Sequence, residues 1–123
     1  MTGGQLYDGD DFEVFTAATR GGDRHQLVIA PDGRFAAQAW QGQNATPWDS
    51  GARVVSDRGA ADRWVVKLSL PLPKLLPGGW QTGQKVYLNV YRASPGAAEL
   101  LAWQPTFAGG FHDTQRLPEL VLK

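Results

Sequence analysis

Wherever this chain is apolar, it is apolar at every second position, and that period limits the fold more than any other feature. In RWVVKLSL, Trp64, Val66, Leu68 and Leu70 fall on one side and Val65, Lys67 and Ser69 on the other. Successive side chains of a strand point to opposite faces, so this is the pattern of a strand buried on one side. FEVF repeats it, with Phe12 and Val14 against Glu13 and Phe15. In HQLVIA, Leu27 and Ile29 share a face with His25, while Gln26 and Val28 share the other. KVYLNVYR divides into Val86, Leu88 and Val90 against Tyr87, Asn89 and Tyr91. No segment holds an apolar period of 3.6 over three turns.

Turn residues separate these runs. Arg20–Asp23 (RGGD) is a turn signal, and Pro31-Asp32-Gly33 predicts a tight turn from which RFAAQAW returns antiparallel, making a hairpin. Gln41–Ser50 is polar and reads as a loop; ARVVS is a short strand and DRGAAD a turn. Pro71 and Pro73 end the RWVVKLSL strand, with PKLL as a single helical turn, and Pro77-Gly78-Gly79 and Thr82-Gly83 break the chain again. Five or six short strands between such turns predict an all-β antiparallel sandwich, jelly-roll or immunoglobulin-like. At 123 residues it forms one domain, 1–123, with a single core.

Composition narrows the function. Lys plus Arg and Asp plus Glu both number 12, so no cationic excess exists to neutralise phosphates, which argues against nucleic acid and anionic membrane as partners. Cysteine is absent, which removes disulfides and thiolate metal sites; two histidines are too few for a histidine-rich centre. The MTGGQLYDGDD start carries no signal-peptide pattern, and no apolar run approaches the roughly 20 residues of a membrane span. Five tryptophans are many for this length; they divide between core packing and a ligand platform.

The polar face of KVYLNVYR and the glycine-spaced aromatic loop after it, up to Asp113, are the first place to seek a site. Asn89 with Tyr87 and Tyr91 reads equally as a ligand face or as sheet cover. Catalysis has weak support: Glu13 with Asp113 would serve as a carboxyl pair, but no motif marks them. Asp8, Asp10 and Asp11 around Gly9 form an oxygen-rich cluster able to hold Ca²⁺, without EF-hand spacing; a solvated acidic turn is the competing reading.

Five segments in order resemble family 9 carbohydrate-binding modules and the wider DOMON-like sandwiches. FEVF is similar to that family's V-E-I-F strand, and HQLVIAPDGRF to its Q-F-x-V-N-x-x-G hairpin. RWVVKLSLPLPKL resembles its G-Y-x-V-E-x-x-I-P-W segment and YLNVYR its F-N-I-Q-V strand. AWQPTFAGGFHDTQRLPELVL resembles its closing S-W-S-x-P-T…W-R-D-P-x-x-F-G-x-L-x-L run. The resemblance implies a non-catalytic, extracellular or periplasmic sandwich that holds the end of a gluco- or xylo-oligosaccharide, or of a polysaccharide, between two aromatic side chains, with structural calcium. Carried over by position, the clamp aromatics fall on Tyr7, six residues before Glu13, and on Phe111, while an amide position beside Asn89 falls on Tyr91.

A pyranose needs flat faces and a rim of fixed donors and acceptors. Tyr7 and Phe111 would supply faces, with Trp103, Trp40 or Trp48 as substitutes; Glu13, Gln26, Asn89, Arg92 and His112 would supply the rim. Neither clamp position is tryptophan, and family domains carry further strands before FEVF. An open sheet edge is therefore expected, with homodimer formation or strand exchange as its consequence. The reading from another class is a structural or protein-interaction sandwich that assembles through that edge. Haem binding of the DOMON type is disfavoured, since Met1 is the only methionine available as an axial ligand.

Overall fold

Two antiparallel sheets account for the period-two pattern. In a computed structural model, which describes residues 11–60, 63–93, 101–102 and 118–121, the elements run β1 (Asp11–Ala17), β2 (Arg24–Ile29), β3 (Phe35–Gln41), β4 (Asn44–Pro47), β5 (Arg53–Asp57), β6 (Val65–Ser69), α1 (Leu72–Leu75), β7 (Lys85–Ala93), β8 (Leu101–Ala102) and β9 (Glu119–Val121). The main sheet has the order β4-β3-β2-β1-β7-β8, with β9 also pairing β7, and the second sheet is β5-β6. The architecture is the expected sandwich-like, all-antiparallel one.

The hairpins form where local chemistry directs them. At the β2–β3 turn Gly33 takes φ 88°, and its N–H donates to Ala30 O at 3.0 Å. Asp32 Oδ1 accepts from the Arg34 N–H at 3.0 Å, the usual way an aspartate closes a turn. One expectation is corrected: within Gln41–Ser50, residues Asn44–Pro47 are strand β4, paired to β3 from Gln38↔Pro47 to Gln41↔Asn44. Gly42, at φ 61°, makes the tight turn that permits this. The segment looked like loop because β4 is exposed throughout and buries no apolar face.

Buried apolar residues lie on both faces of the main sheet: Phe15, Ala17 and Tyr91, with Val28 beside Ala30, on the face away from β5-β6, and a further cluster between the sheets. Val14, Leu27 and Ile29 are buried there, with Phe12, Val54, Val66, Leu68, Leu88 and Val90 packed against them. Each fully buried aliphatic side chain of this kind contributes about 1.5–3 kcal/mol. Trp48 stacks on His25 with centroids 3.9 Å apart, and Trp64 packs on Phe12 at 4.4 Å. Trp64 Nε1 donates to Ser56 Oγ at 2.7 Å, and Ser56 Oγ donates to Pro31 O at 2.6 Å, tying the second sheet to the β2–β3 turn.

Two strands do not cover the width of the main sheet. A cleft of about 420 Å³ opens between β6 and the strands beneath it, with Phe12, Val14, Trp64, Val66, Leu88 and Val90 among its walls. Among the described residues, β5 and β6 each have one strand neighbour, the other. Open edges among the described residues lie on the second sheet and at β4 of the main sheet.

Candidate binding face

The face of the main sheet turned away from β5-β6 carries polar side chains. Register places them: Glu13 lies opposite Tyr91, Phe15 opposite both Asn89 and Gln26, and Arg24 opposite Trp40. Because each pairing joins residues on the same face, Glu13, Gln26, Trp40, Asn89, Tyr91 and Arg24 all share this one.

A hydrogen-bond chain crosses three strands here. Trp40 Nε1 donates to Gln26 Oε1 at 2.8 Å, and Gln26 Nε2 donates to Glu13 Oε1 at 2.7 Å. Gln26 is thereby held in one amide orientation, with its NH₂ toward the carboxylate. Burial pushes the Glu13 carboxyl above its ordinary value of 4.5, and the Gln26 bond partly opposes that rise. Glu13 keeps 9% of its surface exposed, and among the described residues its one hydrogen bond is at Oε1, leaving Oε2 to accept from a ligand. Half-buried Trp40 and Arg24 border it, the Arg24 guanidinium lying 4.9 Å from the Trp40 ring centroid while Nη1 donates to Gly42 O at 3.1 Å.

Beside this chain lies a sealed group. Asn89 Nδ2 donates to Tyr91 Oη at 3.1 Å, Asn89 Oδ1 accepts from the Val90 N–H at 2.9 Å, and the Tyr91 ring meets Phe15 edge-on at 5.5 Å. Asn89 and Tyr91 are buried, and the Tyr91 ring against Phe15 joins β7 to β1 on this face.

The other expected site residues are distributed differently. Arg92 is on the opposite face: it pairs with Phe12, and its guanidinium lies 5.8 Å from the Phe12 centroid and 5.5 Å from that of Trp64. It cannot join Glu13 and Gln26, because one step along a strand reverses the side-chain direction. Tyr7, Trp103, Phe111 and His112 lie outside the described residues, as do Asp8 and Asp10. Asp11 begins β1 and is 2% exposed, a strand residue rather than part of a solvated turn. Among the described residues no group of three acidic or histidine side chains is arranged for a metal.

Arg24 was not among the expected residues, although the signal was present. A hairpin that pairs Ile29 with Phe35 must bring Arg24 opposite Trp40. A second concave place is a shallow one of about 430 Å³ at Gly78, Gly79, Trp80, Gln81 and Gln84, where Trp80 is 49% exposed.

No family model matches the chain, and no curated relative matches it. A crystal structure from Bacteroides uniformis, described as that of a candidate carbohydrate-binding protein, matches with a TM-score of 0.66 at 14% identity. The match covers 96% of this chain and 62% of that one, so the chain spans under two thirds of the matched protein's length. At such identity the likeness is one of fold, which extends over nearly the whole of this chain.

Proposed function

We propose that this chain binds the end of a gluco- or xylo-oligosaccharide without altering it, on the face that carries Glu13, Gln26 and Trp40. The observation that carries the reading is Glu13, a largely buried carboxylate with one oxygen bonded to Gln26 and the other open. A carboxylate is a pure acceptor, suited to a sugar hydroxyl. Trp40, fixed by its own N–H, offers a flat apolar edge beside it, the division of labour that sugar recognition requires. The shared fold with a candidate carbohydrate-binding protein supports the same class of ligand. Tyr7 and Phe111, the clamp positions of the resemblance, complete the proposal, which fits an extracellular or periplasmic protein that meets polysaccharide.

Access among the described residues favours binding over hydrolysis, and Asp113, the partner weighed for Glu13 from the sequence, lies outside them. Glycoside hydrolysis needs a second reachable carboxyl across the bond. Asp11, the next acid on this face, is sealed at 2% exposure.

Calorimetric titration with xylo- and gluco-oligosaccharides tests the reading. Glu13→Ala and Trp40→Ala are expected to weaken binding by about tenfold or more, while Trp80→Ala leaves it unchanged. Loss on Trp80→Ala alone would move the site to the Gly78–Gln84 hollow. No heat with any neutral glycan in the wild type would end the proposal.

A further inference from the structure

The second sheet has an edge that matches itself. β5 reads Arg53-Val54-Val55-Ser56-Asp57, and β6 is its one strand neighbour among the described residues. No backbone hydrogen bond joins its other edge to a described residue. Arg53, Val55 and Asp57 all point outward, and Val55 is 61% exposed, more than any other large apolar side chain described.

We infer that β5 is a self-pairing edge, through which two copies of this chain join into one four-stranded sheet, β6-β5-β5-β6. Placed antiparallel about Val55, the strand is complementary to itself. Val55 meets Val55, and at both ends Arg53 of one copy lies opposite Asp57 of the other. Opposite charges and apolar pairs directly across an antiparallel ladder are stabilising, and a two-fold axis supplies each contact twice. Neither Arg53 nor Asp57 forms an ion pair among the described residues. Asp57 Oδ1 accepts only from the Gly59 N–H, at 2.8 Å, which leaves Oδ2 for a guanidinium.

Neither β6 nor β4 has this property. Self-pairing of β6 about its centre would set Lys67 against Lys67, a like-charge contact of the kind that protects edges. β4 ends in Pro47, which cannot donate to a ladder, and carries no charge. The β5 contact is independent of the sugar reading, since it lies on the second sheet.

Five residues per strand make a small interface, so the dimer belongs to the weak class. Sedimentation equilibrium from about 10 µM to about 1 mM should show the mass rising from one chain toward two. Arg53→Asp and Asp57→Arg, each alone, place like charges at both ends and should weaken association about tenfold or more. Mixed together, the two variants restore both opposite-charge pairs and should form a heterodimer. Val55→Lys should also be monomeric, with circular dichroism reporting an intact sheet in every variant. A wild type that stays monomeric over the whole range, or a dimer that all three variants keep, overturns the inference.

Discussion

Gln26 Nε2 donates to Glu13 Oε1 across 2.7 Å, joining β2 to β1 on the face of the main sheet away from β5-β6. This one bond fixes an amide and a carboxylate in a place from which the inter-sheet packing is absent. A buried carboxylate with a single amide partner is a costly arrangement for stability alone. A ligand that donates to its second oxygen would relieve that cost.

Glu13 should make stability depend on pH in a defined direction. Its folded proton affinity exceeds that of the unfolded chain, whose value is near 4.5. The native state therefore holds more protons in the window above 4.5, and stability falls as pH rises through it to the folded value. Glu13→Gln keeps an acceptor for Gln26 and removes the titration, so its advantage over wild type should grow with pH and then level. Urea midpoints across the acid range measure this; parallel profiles would refute it. Sugar binding, which favours the ionised carboxylate, should strengthen across the same window.

His25 should act in the opposite sense. Burial lowers its proton affinity below the ordinary 6.5, against a smaller raising effect of Asp23. The unfolded chain then holds more protons below 6.5, and stability is lost as pH falls from there toward the folded value. His25→Phe preserves an aromatic partner for Trp48, which stacks on His25 at 3.9 Å, and should remove that loss. The gap between the two melting temperatures should be wider at about pH 5.5 than at about pH 7.5. An equal gap at both would show that the imidazole does not titrate against Trp48.

The cleft beside β6 should accept added volume. Val90 lies opposite Val14, and both line it. Val90→Leu should stabilise by about 1 kcal/mol, from one more buried methylene. Ile29→Ala, a fully buried deletion, should cost about 2–5 kcal/mol. Chemical denaturation gives both values. Destabilisation by Val90→Leu would mean that the main-sheet wall has no free space above it.

The strands and their two faces were legible because alternation is a local property of the backbone. Phe12 with Val14, and Glu13 with Phe15, are separated by geometry that any extended chain obeys. The same rule gave Leu27 and Ile29 inward and Gln26 outward. β4 escaped notice because an exposed edge strand needs no apolar pattern; only its pairing to β3 reveals it. Arg92 shows the limit of residue type as a guide to position. Its charge suggested a sugar rim, but its strand position sends it to the opposite face, over Phe12 and Trp64.

What the amino-acid sequence alone determined is the class of the fold, the hairpin at Pro31–Gly33 and the side of each strand that is apolar. Tertiary structure decided which strands are neighbours. β7 closes on β1 from far along the chain, and that non-local pairing brings Tyr91 opposite Glu13. It also decided the surroundings of the four described tryptophans: Trp40 with Gln26, Trp48 with His25, Trp64 with Phe12 and Trp80 with solvent. Their sequence surroundings do not distinguish these fates, because burial depends on what a second sheet covers. Among the described residues β5-β6 covers only part of the main sheet, which leaves the cleft and the β5 edge open.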